Sequence, residues 1–304
     1  MDFSKLPTNF FSSIFQYTKH EHSDQYPAID PTRKELSLAG KVVIITGASR
    51  GLGATAFAPA FAKAGVRGLA LLATNAEGLA TTQGLVKGIN PEIETLTIPT
   101  NVSDAASVAS AFAKIKDAFG HADILINNAG VNCDGEGVRF GDSDPVLYWK
   151  NFEINAKGTF LMTHAFINQL PSADTPATVI NLTTGAVWKG NPMMPGYSVS
   201  KLVAQQQVTS IAAVYPNITA VALHPGLQFT NMLPEWMKRF DRDTPELAGG
   251  TAVWLSHPHA RFLSGRAISC NWSVDDLVAR AAEIKASNDL TMDFVGSFGP
   301  AQFA

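Results

Sequence analysis

Tyr197 and Lys201 stand four residues apart in the run Tyr197-Ser-Val-Ser200-Lys201. On a helix that spacing puts both side chains on one face, where they can meet. A free phenol has a pKa near 10, too high for a base at neutral pH. An ammonium beside it favours the phenolate and predicts a lowered value. Tyr197 could then give a proton to a carbonyl oxygen or take one from an alcohol. Alone, the pair reads more readily as a surface Tyr/Lys pair on an amphipathic helix. A second run, Thr46-Gly47-Ala-Ser49-Arg50-Gly51-Leu52-Gly53, holds glycines at positions 1, 5 and 7 of G-x-x-x-G-x-G. They permit a tight turn and let a pyrophosphate approach the backbone at a helix N-terminus. The plainer reading is an ordinary glycine-rich turn, but its place behind an all-apolar strand favours a cofactor site.

These residues need elements to hold them. Val42-Val43-Ile44-Ile45 is a short, all-apolar, β-branched run, and the glycine turn and an Ala-rich helical stretch to about Ala64 follow it. Further runs are Leu69 to Leu72, Glu94 to Ile98, Ile124 to Ile126, Val179 to Leu182, Ile218 to Leu223 and a weak one at Ala267. Helical stretches lie between them at Ala105 to Phe119, Pro145 to Leu170 and Tyr197 to Val214. Short strands apolar on both faces, alternating with helices, mean a parallel sheet covered on both sides. Right-handed crossovers then give a doubly wound α/β fold of about seven strands in a single domain. Phe3, Leu6, Phe10, Phe11, Ile14 and Phe15 have helix-like spacing. They predict a short amphipathic helix followed by an extended arm with Pro27 and Pro31 as breakers. The chain thus divides into an extension, 1–38, and a domain, 39–304, with a tail over 275–304. The arm reads as packing on its own domain, or else as an oligomer arm.

The 304 residues, 46% of them hydrophobic, suffice for one large core. Charged residues are only 16%, which fits a compact enzyme or an oligomer with a covered face, such as a homodimer or homotetramer. A net charge of −3 with no basic run argues against nucleic acid or an acidic membrane as partner. The two cysteines, Cys133 and Cys270, form no C-x-x-C pair, and a reducing, cytoplasmic setting is the simpler reading. There is no continuous apolar leader and no run long enough to span a bilayer. His257-Pro-His259 has no cysteine or carboxylate at ligand spacing and reads as a surface loop rather than a metal site.

Taken together, the runs resemble the short-chain dehydrogenase/reductase family. T-G-x-x-x-G-x-G is that family's form of the turn, Asn127-Asn128-Ala129-Gly130 resembles its N-N-A-G motif and Tyr197 to Lys201 its Y-x-x-x-K. Pro225-Gly226 resembles its P-G turn beside the nicotinamide. The resemblance covers roughly residues 38 to 275, and the extra arm and tail are similar to those of fungal members. It implies a Rossmann-type sheet. It implies proton transfer by Tyr197, with Lys201 also holding the nicotinamide ribose. It implies cofactor contacts from Gly47, Ser49, Arg50, Gly51, Leu52, Gly53, Thr74, Asn101, Val102, Asn128, Ala129, Gly130, Tyr197, Lys201, Pro225, Gly226, Leu227 and Thr230. The family's catalytic serine lies thirteen residues before the tyrosine, where this chain has Thr184. Threonine keeps the hydroxyl but adds a stiff methyl; Thr183, its neighbour, should point the other way. Asn155 matches the family asparagine that holds a water between the lysine and solvent, though a helix asparagine bonded to backbone is the plainer reading.

NAD-specific members carry an acid at the end of the second strand, where this chain reads Ala73-Thr74-Asn75. With Arg50 able to bond a 2′-phosphate, the expected cofactor is NADP(H). Asn101 replaces the usual aspartate facing the adenine and could bond an amine through its amide oxygen. Trp188, Met193, Met194, Pro195, Leu227, Phe229, Met232, Leu233, Trp236 and Phe240 read either as the wall of a hydrophobic substrate pocket or as ordinary core. His224, before the P-G turn, sits near the nicotinamide or simply fills space. The expected activity is a ketone reductase or secondary alcohol dehydrogenase acting on a hydrophobic small molecule. Rival readings are a lyase, dehydratase or cyclase on the same scaffold, towards which Thr184 and Asn101 lean, and a cofactor-sensing protein without turnover.

Overall fold

The structure, a computed structural model, describes residues 5–135, 137–188, 194–228, 235–240, 243–293, 296 and 299, without the side chains of 235 and 236. Seven parallel strands form one sheet: β1 (Val42–Thr46), β2 (Gly68–Ala73), β3 (Glu94–Pro99), β4 (Ile124–Asn127), β5 (Ala177–Leu182), β6 (Ile218–His224) and β7 (Ala267–Ser269), in the order β3-β2-β1-β4-β5-β6-β7. Every residue of β1, β2, β4, β5 and β6 is buried, as runs covered on both faces require. The strand β3 differs. It lies at the sheet edge, and only Ile98 is buried. The order reverses between β1 and β4, so a crevice opens at their carboxyl ends, where such sheets bind ligands.

Period two assigns the core to two layers. Val43, Ile45, Leu69 and Leu71 face one side with Phe57, Phe61 and Trp254; Val42, Ile44 and Leu72 face the other with Phe112, Ile115 and Phe166. The helices supplying these layers are α2 (Ala58–Lys63), α3 (Ala76–Ile89), α4 (Ala105–Phe119), α5 (Pro145–Asn151), α6 (Thr159–Asn168), α7 (Pro195–Val214) and α8 (Pro245–Leu255), after a four-residue α1 (Phe10–Ser13). Two short helices, α9 (Val274–Ala279) and α10 (Ala281–Ala286), close the fold. Single π-turns, Gly53–Phe57 and Phe152–Gly158, lead into α2 and join α5 to α6. Among the described residues no helix is long and apolar enough to cross a membrane.

The N-terminal segment corrects one expectation. Of the expected amphipathic helix, the described residues 6–15 form α-helix only over Phe10–Ser13. Its aromatic rings find separate partners rather than one shared face. Phe11 packs edge-on against Phe240 at 4.9 Å and Phe15 against Trp188 at 5.4 Å. Tertiary contacts therefore override the period. Beyond α1 the arm is clasped to the other end of the chain. Trp272 Nε1 donates to Phe15 O (2.9 Å), Ser273 N to Thr18 Oγ1 (3.1 Å) and His20 N to Asp276 Oδ2 (2.8 Å). Glu21 and Trp272 form an antiparallel bridge, and His22 N donates to Asn271 O (2.8 Å).

Candidate active site

The glycine turn lies at the end of β1. Gly47 and Gly51 have φ of +65° and +54°, backbone conformations that favour glycine. A Cβ on Gly47 would stand 2.9 Å from Ala129 Cα, and one on Gly53 only 2.4 Å from Gly47 O. The turn is pinned from β4: Asn128 Nδ2 donates to Thr46 O (2.8 Å) and Gly47 O (3.2 Å), and the Asn128 and Ala129 amides both donate to Thr46 Oγ1. Gly51, by contrast, has nothing within 4 Å of a built Cβ, so its outer side is open. A turn closed inward by side-chain-free packing and open outward fits a dinucleotide pyrophosphate. Ser49 and Leu52 are half-buried here, while Arg50 is exposed and has no ion pair among the described residues.

The rim beyond the turn is built by β2, β3 and α3. Thr74 and Asn75 are exposed, and Asn75 Oδ1 caps α3 by accepting from Gly78 N at 2.9 Å. Gly78 lets α3 press on Ser49, since a Cβ there would lie 2.6 Å from Ser49 O. Asn101 lies just beyond β3, and its amide oxygen already accepts from Ser103 N (3.1 Å) and Ser103 Oγ (2.8 Å). The oxygen expected to meet an adenine amine is therefore engaged locally. Val102 is buried against Gly158.

The residues expected to handle the proton converge on the ends of β4 and β5. Thr184, two residues past β5, is half-buried; its hydroxyl accepts from Ala186 N (3.3 Å) and lies near the Tyr197 phenol. Thr183 turns inward as alternation requires, with its hydroxyl on Gln205 Oε1 (3.2 Å). Lys201, 5% exposed, donates from Nζ to Leu182 O at 3.0 Å. Gly130 leaves the space in front of it: a Cβ there would be 3.1 Å from both Lys201 Nζ and Asn155 Oδ1. Asn155 sits in the second π-turn. Its amide clasps Val131, accepting from N (2.9 Å) and donating to O (2.8 Å), and reaches Ser200 Oγ (2.9 Å).

Electrostatics reverse the expectation drawn from the Tyr/Lys spacing. Burial pushes Tyr197 up to about 12, and the nearby Thr184 hydroxyl pulls it only partly back. The Tyr197 side chain keeps some accessible surface. Burial also lowers Lys201 to about 8. Desolvation disfavours both charged forms, and Lys201 aims its ammonium at a carbonyl. At neutral pH the pair is a phenol and an ammonium.

Asp134 and Asp243 belong to the site as well, and their roles were not legible in the sequence. Asp134 Oδ2 accepts the Tyr197 amide (2.7 Å) in the first turn of α7, while Oδ1 accepts from Asn151 Nδ2 (2.9 Å). It thus caps an otherwise unsatisfied helix donor from another loop. Asp243 holds the Pro225-Gly226 turn. Its Oδ2 accepts from Leu227 N (2.7 Å) and its Oδ1 from Asn271 Nδ2 (2.8 Å). Gly226, at φ +78°, has no room for a Cβ against that carboxylate. Of the expected pocket residues, Leu227 and Phe240 line a cavity, Trp188 stacks on Trp272 at 5.5 Å, and Met194 and Pro195 begin α7. Met193, Phe229, Thr230, Met232, Leu233 and the Trp236 side chain lie outside the described residues.

Residues 41–240 match the short chain dehydrogenase family. The chain is 36% identical to short chain dehydrogenase tazN of Aspergillus terreus across 89% of its own length, but spans only 60% of that relative. It is 35% identical to short chain dehydrogenase mpl6 of Monascus purpureus, covering 93% of this chain and 98% of mpl6. A solved structure described as a short-chain alcohol dehydrogenase from Sinorhizobium meliloti 1021 superposes with a TM-score of 0.70 at 26% identity, over 78% of this chain and 96% of that one. NAD+-bound xylitol dehydrogenase, at 21% identity over 76% of this chain and 98% of its own, shares the fold with a TM-score of 0.68. Together with the sheet order and the glycine turn, these likenesses establish that the chain belongs to the short-chain dehydrogenase/reductase family.

Proposed function

We propose that the protein is an NADP(H)-dependent ketone reductase, working in reverse as a secondary alcohol dehydrogenase, on hydrophobic small molecules. The observation that carries this reading is the convergence of Thr184, Tyr197 and Lys201 at the end of β5, with Lys201 bonded to Leu182 O one helical turn after Tyr197 on α7. A bound nicotinamide cofactor supplies or accepts the hydride. The chain's own residues manage the oxygen. Thr184 donates to the substrate carbonyl, and Tyr197, a phenol at neutral pH, gives that oxygen its proton. Lys201, positively charged below about pH 8, stabilises the phenolate that remains. Asn155, Asp134 and Ser200 position these groups. The turn Gly47 to Gly53, with Asn128, Ala129 and Gly130 behind it, would hold the dinucleotide, and Pro225, Gly226 and Leu227 would border the nicotinamide.

NADP(H) is favoured over NAD(H) because Arg50 is exposed next to a rim, Ala73 to Asn75, that carries no carboxylate. Exposed Trp149, Phe160, Val199 and Val203 on α5, α6 and α7 support self-association, as a homodimer or a larger assembly. The decisive experiment mixes the purified protein with NADPH or NADH and a panel of aryl and aliphatic ketones, following consumption of the reduced nicotinamide. NADPH should be consumed with at least one ketone. If no ketone consumes either cofactor while a cofactor-independent elimination or cyclisation proceeds, the reductase reading falls.

A further inference from the structure

Beside the Tyr197 centre the structure holds a cavity of about 240 Å³ whose outer wall is the N-terminal arm. Phe11, Glu21 and His22 come from the arm; His224, Leu227 and Asp243 come from the end of β6 and the turn after it. The cavity adjoins the candidate active site. In the sheet Leu182 pairs with Leu223, so His224 stands level with Thr183, one residue before Thr184. The arm also reaches Thr184's neighbour directly, since a Cβ on Gly185 would lie 2.7 Å from the Phe15 ring. Leu227 belongs both to the cavity and to the P-G turn.

Two polar atoms here have no partner in the described protein. His224 is 8% exposed, and its Nδ1 is buried without a hydrogen bond; so is Glu21 Oε1. Burying polar groups unpaired is costly, of order 1–3 kcal/mol each, so their placement needs a reason. The other carboxylate, Asp243, is engaged with Leu227 N and Asn271 Nδ2. Trp188 holds the His224 ring edge-on at 5.5 Å, which fixes its orientation. Burial lowers the His224 pKa to about 4, so the ring is neutral and can accept through one nitrogen. Phe11, Leu227 and Phe240 supply apolar surface around these two acceptors.

We infer, resting on the ketone-reductase reading of the neighbouring Tyr197 centre, that the N-terminal arm builds a distal substrate subsite in which His224 and Glu21 receive a hydroxyl carried on an apolar body. The arm then decides which ketones are accepted: those with a phenolic or carbinol donor remote from the reacting carbonyl. The volume suits one end of a ligand, below the range of complete small-molecule sites.

The test uses the NADPH-loaded protein and calorimetric titration with β-naphthol and with its methyl ether, which keeps the rings but lacks the donor. Wild type should bind the naphthol at least about tenfold more tightly, since a site built to hydrogen-bond a hydroxyl rejects the analogue without it. His224→Phe and Glu21→Leu should each reduce that preference, and Phe11→Ala should weaken both probes alike. Circular dichroism and thermal melts identify a variant that does not fold, and Glu21 on the arm provides a change outside the sheet. Equal affinities in wild type, or an undiminished preference in both folded polar variants, would overturn the subsite. Because binding is read without turnover, the preference could survive a failed ketone screen, which sinks only the reductase reading; ketone turnover with equal affinities sinks only the subsite.

Discussion

Threonine at position 184 brings two separable properties to the Tyr197 phenol. Its hydroxyl can donate to the substrate oxygen, and one such donor in a preorganised site is worth about 2.7–4 kcal/mol. Its methyl contributes only shape. Thr184→Val keeps the shape and should lower kcat by about 100- to 1,000-fold, whereas Thr184→Ser should stay within a few-fold of wild type. Steady-state kinetics on both variants decide the matter; a fully active Val variant would remove Thr184 from the chemistry. At Arg50 the expected outcome concerns cofactor choice. Arg50→Ala should weaken NADPH by roughly 1.5–3 kcal/mol, the worth of a charge-assisted bond, and leave NADH nearly unchanged. Fluorescence titration with both cofactors measures this, and equal losses would refute it. The residue types and spacings at 184, 197 and 201 were legible in the sequence; their protonation was not. Spacing alone suggests a lysine lowering a tyrosine pKa, but burial dominates both groups, and burial is a property of the whole fold.

Among the elements, the strands read most clearly, because β-branched apolar runs bounded by turns have few other fates. The exceptions have physical causes. Helix α8 is buried at all eleven positions from Pro245 to Leu255 except the first two, so no polar face marks its period. The N-terminal aromatics follow a helical spacing that their separate tertiary partners override. The roles of Asp134 and Asp243 are not legible in the sequence because their targets are remote in it: Tyr197 lies 63 residues from Asp134. The start of α7 therefore depends on another loop, which gives a prediction at this scale. Asp134→Ala removes the acceptor for the Tyr197 amide and orphans Asn151 Nδ2, costing about 1–3 kcal/mol of stability. The melting temperature should fall and kcat should drop as Tyr197 shifts, while NADPH affinity changes little. A variant as stable and active as wild type would show that α7 starts correctly without this cap.

Across the whole molecule, acid stability should follow from His224. Its folded pKa of about 4 lies below the ordinary 6.5, so between those values the unfolded chain binds a proton that the folded chain does not. The contribution is therefore complete above about pH 6.5 and is lost as pH falls towards 4, amounting to roughly 3 kcal/mol. Urea unfolding of wild type and His224→Phe across this window should show a shallower acid decline in the variant; identical slopes would contradict it. Assembly is the second expectation. Trp149 is 61% exposed and Phe160 53%, large apolar areas for a free surface. Sedimentation should find an oligomer that Trp149→Glu or Phe160→Glu shifts towards monomer, and a monomeric wild type would exclude the interface.

The clasp between residues 15–22 and residues 271–276 also has a consequence in time. A chain leaves the ribosome N-terminus first, at about 5–20 residues per second. The arm therefore emerges roughly 10–50 s before the segment that receives it. During that interval Phe15 and Tyr17 lack Trp272, and the arm is exposed to whatever chaperone is near the tunnel exit. The central strands can pair early, but the wall beside Thr184 is completed only when the last strand and Trp272 have emerged. Synthesis thus makes a Rossmann core first and an enclosed site last.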